Sequence, residues 1–133
     1  LNLGYRTSKL QSTKYILLSA AFSLQSGNKE VISSAMDDLM NRRMTTQPLD
    51  KPSCGSTFKR PAGNFAGKLI SDCGLKGMSV GGAQVSEKHA GFIVNSGGAT
   101  SRDILDLVQL VKKTVFEKTG VLLEEEIRII GRE

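Results

Sequence analysis

The sequence predicts an α+β fold, a small and largely antiparallel sheet packed with helices. Three observations lead there. Apolar residues recur at helical spacing over two longer stretches and alternate over shorter ones. Glycine, proline and polar clusters separate these stretches, giving the order strand, helix, loop, helix, two strands, helix, strand. The length, 133 residues with 39% hydrophobic and 23% charged, suits a compact soluble domain with a modest core, and two lobes are compatible with the element order.

From residue 14 to 25, Ile16, Leu18, Ala20, Phe22 and Leu24 alternate with Tyr15, Leu17, Ser19, Ala21 and Ser23, which predicts a strand. Asn28 is a helix N-cap, and Val31, Ile32, Ala35, Met36, Leu39 and Met40 predict an amphipathic helix over 29–43. Arg42 and Arg43 lie in its last turn, where the helix dipole favours cations. Phe65, Ala66, Leu69, Ile70 and Cys73 predict a short helix stopped by Gly74. Residues 78–86 and 91–95 read as two strands, with Gly81 and Gly82 marking a bulge or a close backbone approach to a ligand. Thr100 with Asp103 predicts a capped helix whose buried face is Ile104, Leu107, Val108, Val111 and Val115, ending at Gly120. A last strand is expected from about 121 to 130, with Glu124, Glu126, Arg128 and Ile130 on one face and Leu123, Glu125, Ile127 and Ile129 on the other.

The segment from Pro52 to Pro61 has a different character. It holds two serines, a thiol, Gly55, Thr57 and the cations Lys59 and Arg60, with Phe58 as its one large apolar residue. Gly55 allows a tight turn or a close backbone approach. Ser56 follows it, so a hydroxyl stands ahead of two cations that can hold anionic oxygens. That arrangement suits a phosphorylated substrate and a proton donor. A proline-closed Ser/Gly turn with solvated cations gives the same pattern. For Glu126 and Arg128, the plain alternative is an exposed edge with a surface ion pair.

The net charge of +5 sits in the middle of the chain, where eight cations face three acids between residues 42 and 88. An anionic ligand accounts for this, and nucleic acid is the rival. With two Tyr, five Phe, no Trp and no stacking motif, the rival is the weaker one. Cys54 and Cys73 have no metal-ligand spacing and read as reduced thiols. No apolar run reaches the roughly 18 residues of a membrane span.

Gly55-Ser56-Thr57-Phe58-Lys59-Arg60-Pro61 resembles the active-site serine motif of the UDP-N-acetylenolpyruvoylglucosamine reductases, also called UDP-N-acetylmuramate dehydrogenases. Gly4-Tyr5-Arg6-Thr7-Ser8 resembles that family's Tyr-Arg segment, Gly74-Leu75-Lys76-Gly77 with Gly81-Gly82-Ala83 its glycine-rich middle, and residues 123–131 its closing strand. The motifs fall in the family's order over nearly the whole chain.

The resemblance implies a flavoenzyme of peptidoglycan precursor synthesis in the cytoplasm. It reduces UDP-N-acetylglucosamine enolpyruvate to UDP-N-acetylmuramate with FAD and NADPH. It implies Ser56 as proton donor, Glu126 as the second catalytic group and Arg6 as the arginine that holds the substrate carboxylate. Tyr5, Arg43, Gln47, Gly55, Lys59, Arg60, Lys76, His89 and Arg128 become candidates for substrate binding. The chain would be a C-terminal fragment, with residues 1–49 as the tail of the FAD-binding region and a connecting helix, 50–119 as the substrate-binding domain, and 120–133 as a strand returning toward the flavin region. Its partner would be the missing N-terminal FAD-binding region, and the fragment alone would neither hold FAD nor turn over. It resembles the shorter subtype, which lacks a tyrosine-bearing loop, and Gln47 stands about where other members place a lysine. The alternatives are a stand-alone UDP-sugar-binding module and a basic nucleic-acid-binding domain.

Overall fold

The last helix, α3 (Ser101–Thr119), carries the core. In this computed structural model, which describes residues 1–131 apart from the side chain of Ser12, Leu107, Val108, Val111 and Val115 lie buried along one helix face, as their spacing predicts. The helix start is fixed locally. Asp103 N–H donates to Thr100 Oγ1 at 3.1 Å and Thr100 N–H donates to Asp103 Oδ2 at 2.9 Å, a reciprocal capping box. Gly120, at φ 71°, closes the helix in a left-handed conformation that a Cβ disfavours.

Four short strands make one antiparallel sheet in the order β1-β4-β3-β2: β1 (Ser53–Ser56), β2 (Ser79–Val80), β3 (Ala83–Val85) and β4 (Phe92–Asn95). Ala83, Val85 and Ile93 meet the apolar face of α3, with Phe58 and Leu123 joining the same cluster. The short helix α2 (Ala66–Asp72) adds Ala66 and Ile70. It ends in a Schellman pattern: Gly74 N–H bonds to the Ser71 carbonyl and Leu75 N–H to the Ile70 carbonyl, with Gly74 at φ 75°.

The long helix α1 (Lys29–Thr46) extends three residues past its expected end and begins as expected, with Val31 N–H donating to Asn28 Oδ1 at 3.0 Å. None of its residues is buried. The chain divides into two compact units, Leu1–Ser34 and Ala35–Glu133, with the boundary inside α1. The first unit holds a tight turn at Gly4–Thr7, a 3-10 turn at Lys9–Ser12 and an irregular stretch.

Three expectations need correction. Residues 14–25 form no strand, and Ile16, Leu18, Phe22 and Leu24 are solvent-exposed. The alternation is real, but no neighbouring strand among the described residues completes a ladder with it. The stretch 78–86 is two strands, not one. Ser79 pairs with Gln84 and Val80 with Ala83, so Gly81 and Gly82 are the two residues of a hairpin turn. The close backbone approach expected there is to the protein itself, since a Cβ on Gly82 would meet the Gly97 carbonyl oxygen at 2.3 Å. The final strand shrinks to one bridge, Phe58 with Glu125, because only residues 57–59 are available to pair with it.

Candidate functional site

The serine segment is a bulged edge strand, neither a loop nor a free turn. Ser53 pairs with Val94 and Ser56 with Phe92, so β1 spends one more residue than β4 between these pairs. Gly55 sits in that extra stretch at φ 81°. Nothing lies within 4 Å of a Cβ built there, so the position needs glycine for its backbone and not for space. Directly after the bulge, Thr57 is 2% exposed. Its N–H donates to the Gly91 carbonyl at 2.8 Å and its Oγ1 accepts from Ile93 N–H at 3.2 Å. Ser56, exposed, is thus set between a flexible glycine and a pinned threonine.

Glu126 is brought to this segment through the backbone. Its N–H donates to the Thr57 carbonyl at 2.9 Å, and Lys59 N–H donates to the Glu124 carbonyl at 2.8 Å. The expected two faces hold in part: Leu123 is buried and Ile127 packs on the core, while Glu124 and Arg128 are exposed, but Ile129, expected on the inward face, is 68% exposed, and Glu126 is half-buried like Glu125. Glu125, on the inward face, reaches Lys112 of α3, with Nζ and Oε1 at 2.7 Å and the side chains 22% and 25% exposed. Burial raises the Glu125 carboxyl. The Lys112 hydrogen bond, a backbone N–H and the charges of Lys112 and Lys59 outweigh that, so the group titrates below its ordinary value. Lys59 pairs with Glu124 at 3.0 Å on the more exposed side.

The remaining candidates spread outward. Arg60 stacks over Phe65, 4.0 Å from the ring centroid. Lys76 and Arg128 are exposed. His89 is half-buried, its Nδ1 accepting from Gly91 N–H at 3.1 Å and its ring edge-on to Phe92. Arg43 Nε donates to Gln47 Oε1 at 3.2 Å, one turn along α1. Tyr5 and Arg6 belong to the first unit, in the Gly4–Thr7 turn, where Arg6 holds a left-handed φ of 55°. Such a conformation is uncommon for a residue with a side chain.

A cavity of about 250 Å³ opens beside the bulge, walled by Ser53, Cys54 and Thr57 with Ile93, Ile104 and Ile127. A second, of about 290 Å³, has walls of both charges: Asp50, Lys51, Glu87 and Lys88. Sequence reading missed Thr57 and Lys112. The signal for Thr57 was its place after Gly55 in an apolar–polar alternation too short to read, and Lys112 offered none beyond a lysine on a helix.

A flavin dinucleotide needs backbone N–H groups free to cradle its diphosphate. The one glycine-rich strand-to-helix turn among the described residues, Ser96-Gly97-Gly98-Ala99 between β4 and α3, does not fit. Gly97 N–H and Ala99 N–H both bond to Asn95 Oδ1, and Thr100 and Gly82 N–H groups bond to Asp103 Oδ2. Three of its four N–H groups, those of Ser96, Gly97 and Ala99, are taken up within the protein, and the Asp103 carboxylate already occupies the helix N-terminus. Among the described residues no cluster of His, Cys, Asp and Glu could hold a metal ion, and no helix is long and apolar enough to cross a membrane.

The family model described as "UDP-N-acetylenolpyruvoylglucosamine reductase, C-terminal domain" matches residues 47–130, which includes the bulge, both cavities and the Glu126 segment. The chain belongs to this family. Similar sequences include the UDP-N-acetylenolpyruvoylglucosamine reductases of Clostridioides difficile, 55% identical over all 133 residues, and of Alkaliphilus oremlandii, 57% identical over the same span. The chain spans 44% of the length of each of these relatives. The crystal structure of UDP-N-acetylenolpyruvylglucosamine reductase from Thermus caldophilus is similar in fold at a TM-score of 0.67 and 40% identity, over 80% of this chain and 37% of that one. The fold of this reductase family member is therefore the small antiparallel sheet with helices that the sequence predicts.

Proposed function

We propose that the chain is the substrate-binding and protonating part of a reductase that converts UDP-N-acetylglucosamine enolpyruvate to UDP-N-acetylmuramate in peptidoglycan precursor synthesis, in the cytoplasm. The observation that carries this is the pairing of Glu126 N–H with the Thr57 carbonyl, which brings the backbone of the second candidate residue to the position after Ser56 on the family-matched segment. Reduction of an enol ether adds hydride to one carbon and leaves enolate character on its neighbour, which must be stabilised and then protonated. Ser56 Oγ–H delivers that proton. A hydroxyl is a weak acid, so it acts only because the receiving carbon has become strongly basic. Glu126 polarises the enolpyruvyl group or assists the transfer, and Arg6 pairs with the substrate carboxylate. Arg43, Gln47, Lys76, His89 and Arg128, with Lys59 and Arg60, take up the diphosphate, sugar and uridine, and Tyr5 and Gly55 line the approach.

FAD and NADPH supply the hydride in this reading, and the turn at 96–99 is not where a dinucleotide diphosphate is held. The division into 1–49, 50–119 and 120–133 as flavin-region tail, substrate domain and returning strand belongs to the same proposal, with residues 132 and 133 outside those described.

Ser56→Ala in the whole reductase tests it. Turnover should fall by about 10²–10⁴-fold, the span a general acid step carries, while calorimetric affinity for the UDP substrate and the melting temperature stay near wild type. Wild-type turnover in Ser56→Ala overturns the assignment.

A further inference from the structure

Three consecutive glutamates, Glu124, Glu125 and Glu126, run past the serine segment, held by one bridge made of two backbone hydrogen bonds. So short a ladder specifies register weakly. A slip of one residue would set a chemically identical carboxylate opposite Thr57 while turning every side chain to the other face. Something besides the backbone therefore has to tell the three glutamates apart.

The inward face does so. Leu123 is fully buried at one end of the segment, and Ile127 packs on the core at the other. Between them Glu125 points the same way, toward α3, where a carboxylate on an apolar face is costly unless paired. Lys112 meets it at 2.7 Å. Neighbouring side chains in a paired strand point to opposite faces, so fixing Glu125 inward fixes Glu126 outward. Resting on the reading of Ser56 and Glu126 above, we propose that Lys112 is a positioning residue: its ion pair with Glu125 holds the triple glutamate in the register that sets Glu126, and not a neighbouring glutamate, opposite Thr57 on the serine segment. Removing the ammonium would leave the Glu125 carboxylate, three-quarters covered, with only the weaker influence of the Lys59 charge, and the segment would tilt or slip to rehydrate it.

The test is a double-mutant cycle in the whole reductase, with Lys112→Met, Glu126→Gln and the two combined, beside Lys112→Arg and the reversed pair Lys112→Glu/Glu125→Lys. Misplacement of a reacting group by about 1 Å costs up to roughly 10²-fold, so Lys112→Met should lower kcat about 10–100-fold with KM for the UDP substrate little changed. Lys112→Arg and the reversed pair should restore kcat. In the Glu126→Gln background, Lys112→Met should lower kcat no further, because it acts through Glu126. If Lys112→Met does not fold, Lys112→Gln replaces it in the cycle. Wild-type kcat in the folded Lys112 variant, a full additional loss on top of Glu126→Gln, or a folded reversed pair that stays slow would each overturn the proposal. Wild-type kcat in Glu126→Gln itself would instead overturn the functional reading, and this one with it.

Discussion

Thr57→Val removes a single oxygen from the centre of the site. Threonine and valine have nearly the same volume, so packing around a residue that is 2% exposed is kept. What disappears is the acceptor 3.2 Å from the Ile93 N–H, a bond lying in the buried part of the β1–β4 seam. A buried donor deprived of its partner costs about 1–3 kcal/mol. In a unit of roughly 100 residues each kcal/mol lowers Tm by about 4–8 °C. The chain should therefore melt at least several degrees below wild type. Amide hydrogen exchange locates the loss: the Ile93 amide should lose protection in Thr57→Val and keep most of it in Thr57→Ser, which retains the hydroxyl. If the Ile93 amide exchanges as slowly in Thr57→Val as in wild type, the side-chain stitch across the bulge does not exist as described, and the account of how Ser56 is held fails with it.

Two further outcomes follow from geometry and titration. Gly82→Ala should destabilise by about 1–3 kcal/mol, because its Cβ would sit 2.3 Å from the Gly97 carbonyl oxygen and 2.4 Å from the Ala99 nitrogen, both backbone atoms that move only with their loop; a melt unchanged from wild type would refute the close packing of hairpin on loop. Acid should loosen the Glu125 segment. The folded Glu125 carboxyl lies below its ordinary 4.5, so its stabilising contribution is complete above that pH and is lost as pH falls through the folded value. Asp103, held down first by the Thr100 backbone N–H, shifts in the same direction. Urea titrations from pH 6 down to pH 3 should thus show stability falling, and Lys112→Met should flatten the Glu125 part of that fall; a slope unchanged in the variant would show that the pair contributes nothing to it.

What could be read from the sequence divides along the range of the forces. The capping box at Thr100, the apolar face of α3 and the glycine stops at Gly74 and Gly120 are set by residues within a turn of one another, and all were legible. The strand character of residues 53–56 was not, because nothing in Ser53-Cys54-Gly55-Ser56 favours a strand by itself; β4, far along the chain, imposes it. The opposite error occurred at residues 14–25, where a convincing alternation has no paired neighbour among the described residues. Ser56 ahead of two cations and Glu126 two residues from Arg128 were legible as candidates, and motif likeness supplied their roles. The backbone bond from Glu126 N–H to the Thr57 carbonyl was not legible, since no side-chain pattern records it.

The bulge also bears on how such genes are recognised. Its geometry needs three separated stretches, joined by the Thr57–Ile93 contact across 36 residues and the Lys59–Glu124 contact across 65. A sequence that stopped short of residue 123 would still contain Gly55 to Pro61 intact and would still score on that motif, yet it would lack both the carboxylates and the backbone donor that meets the Thr57 carbonyl. The architecture of this corner therefore resides in the spaced set of 53–58, 91–95 and 123–127, and the serine motif by itself does not report whether its two partners are present.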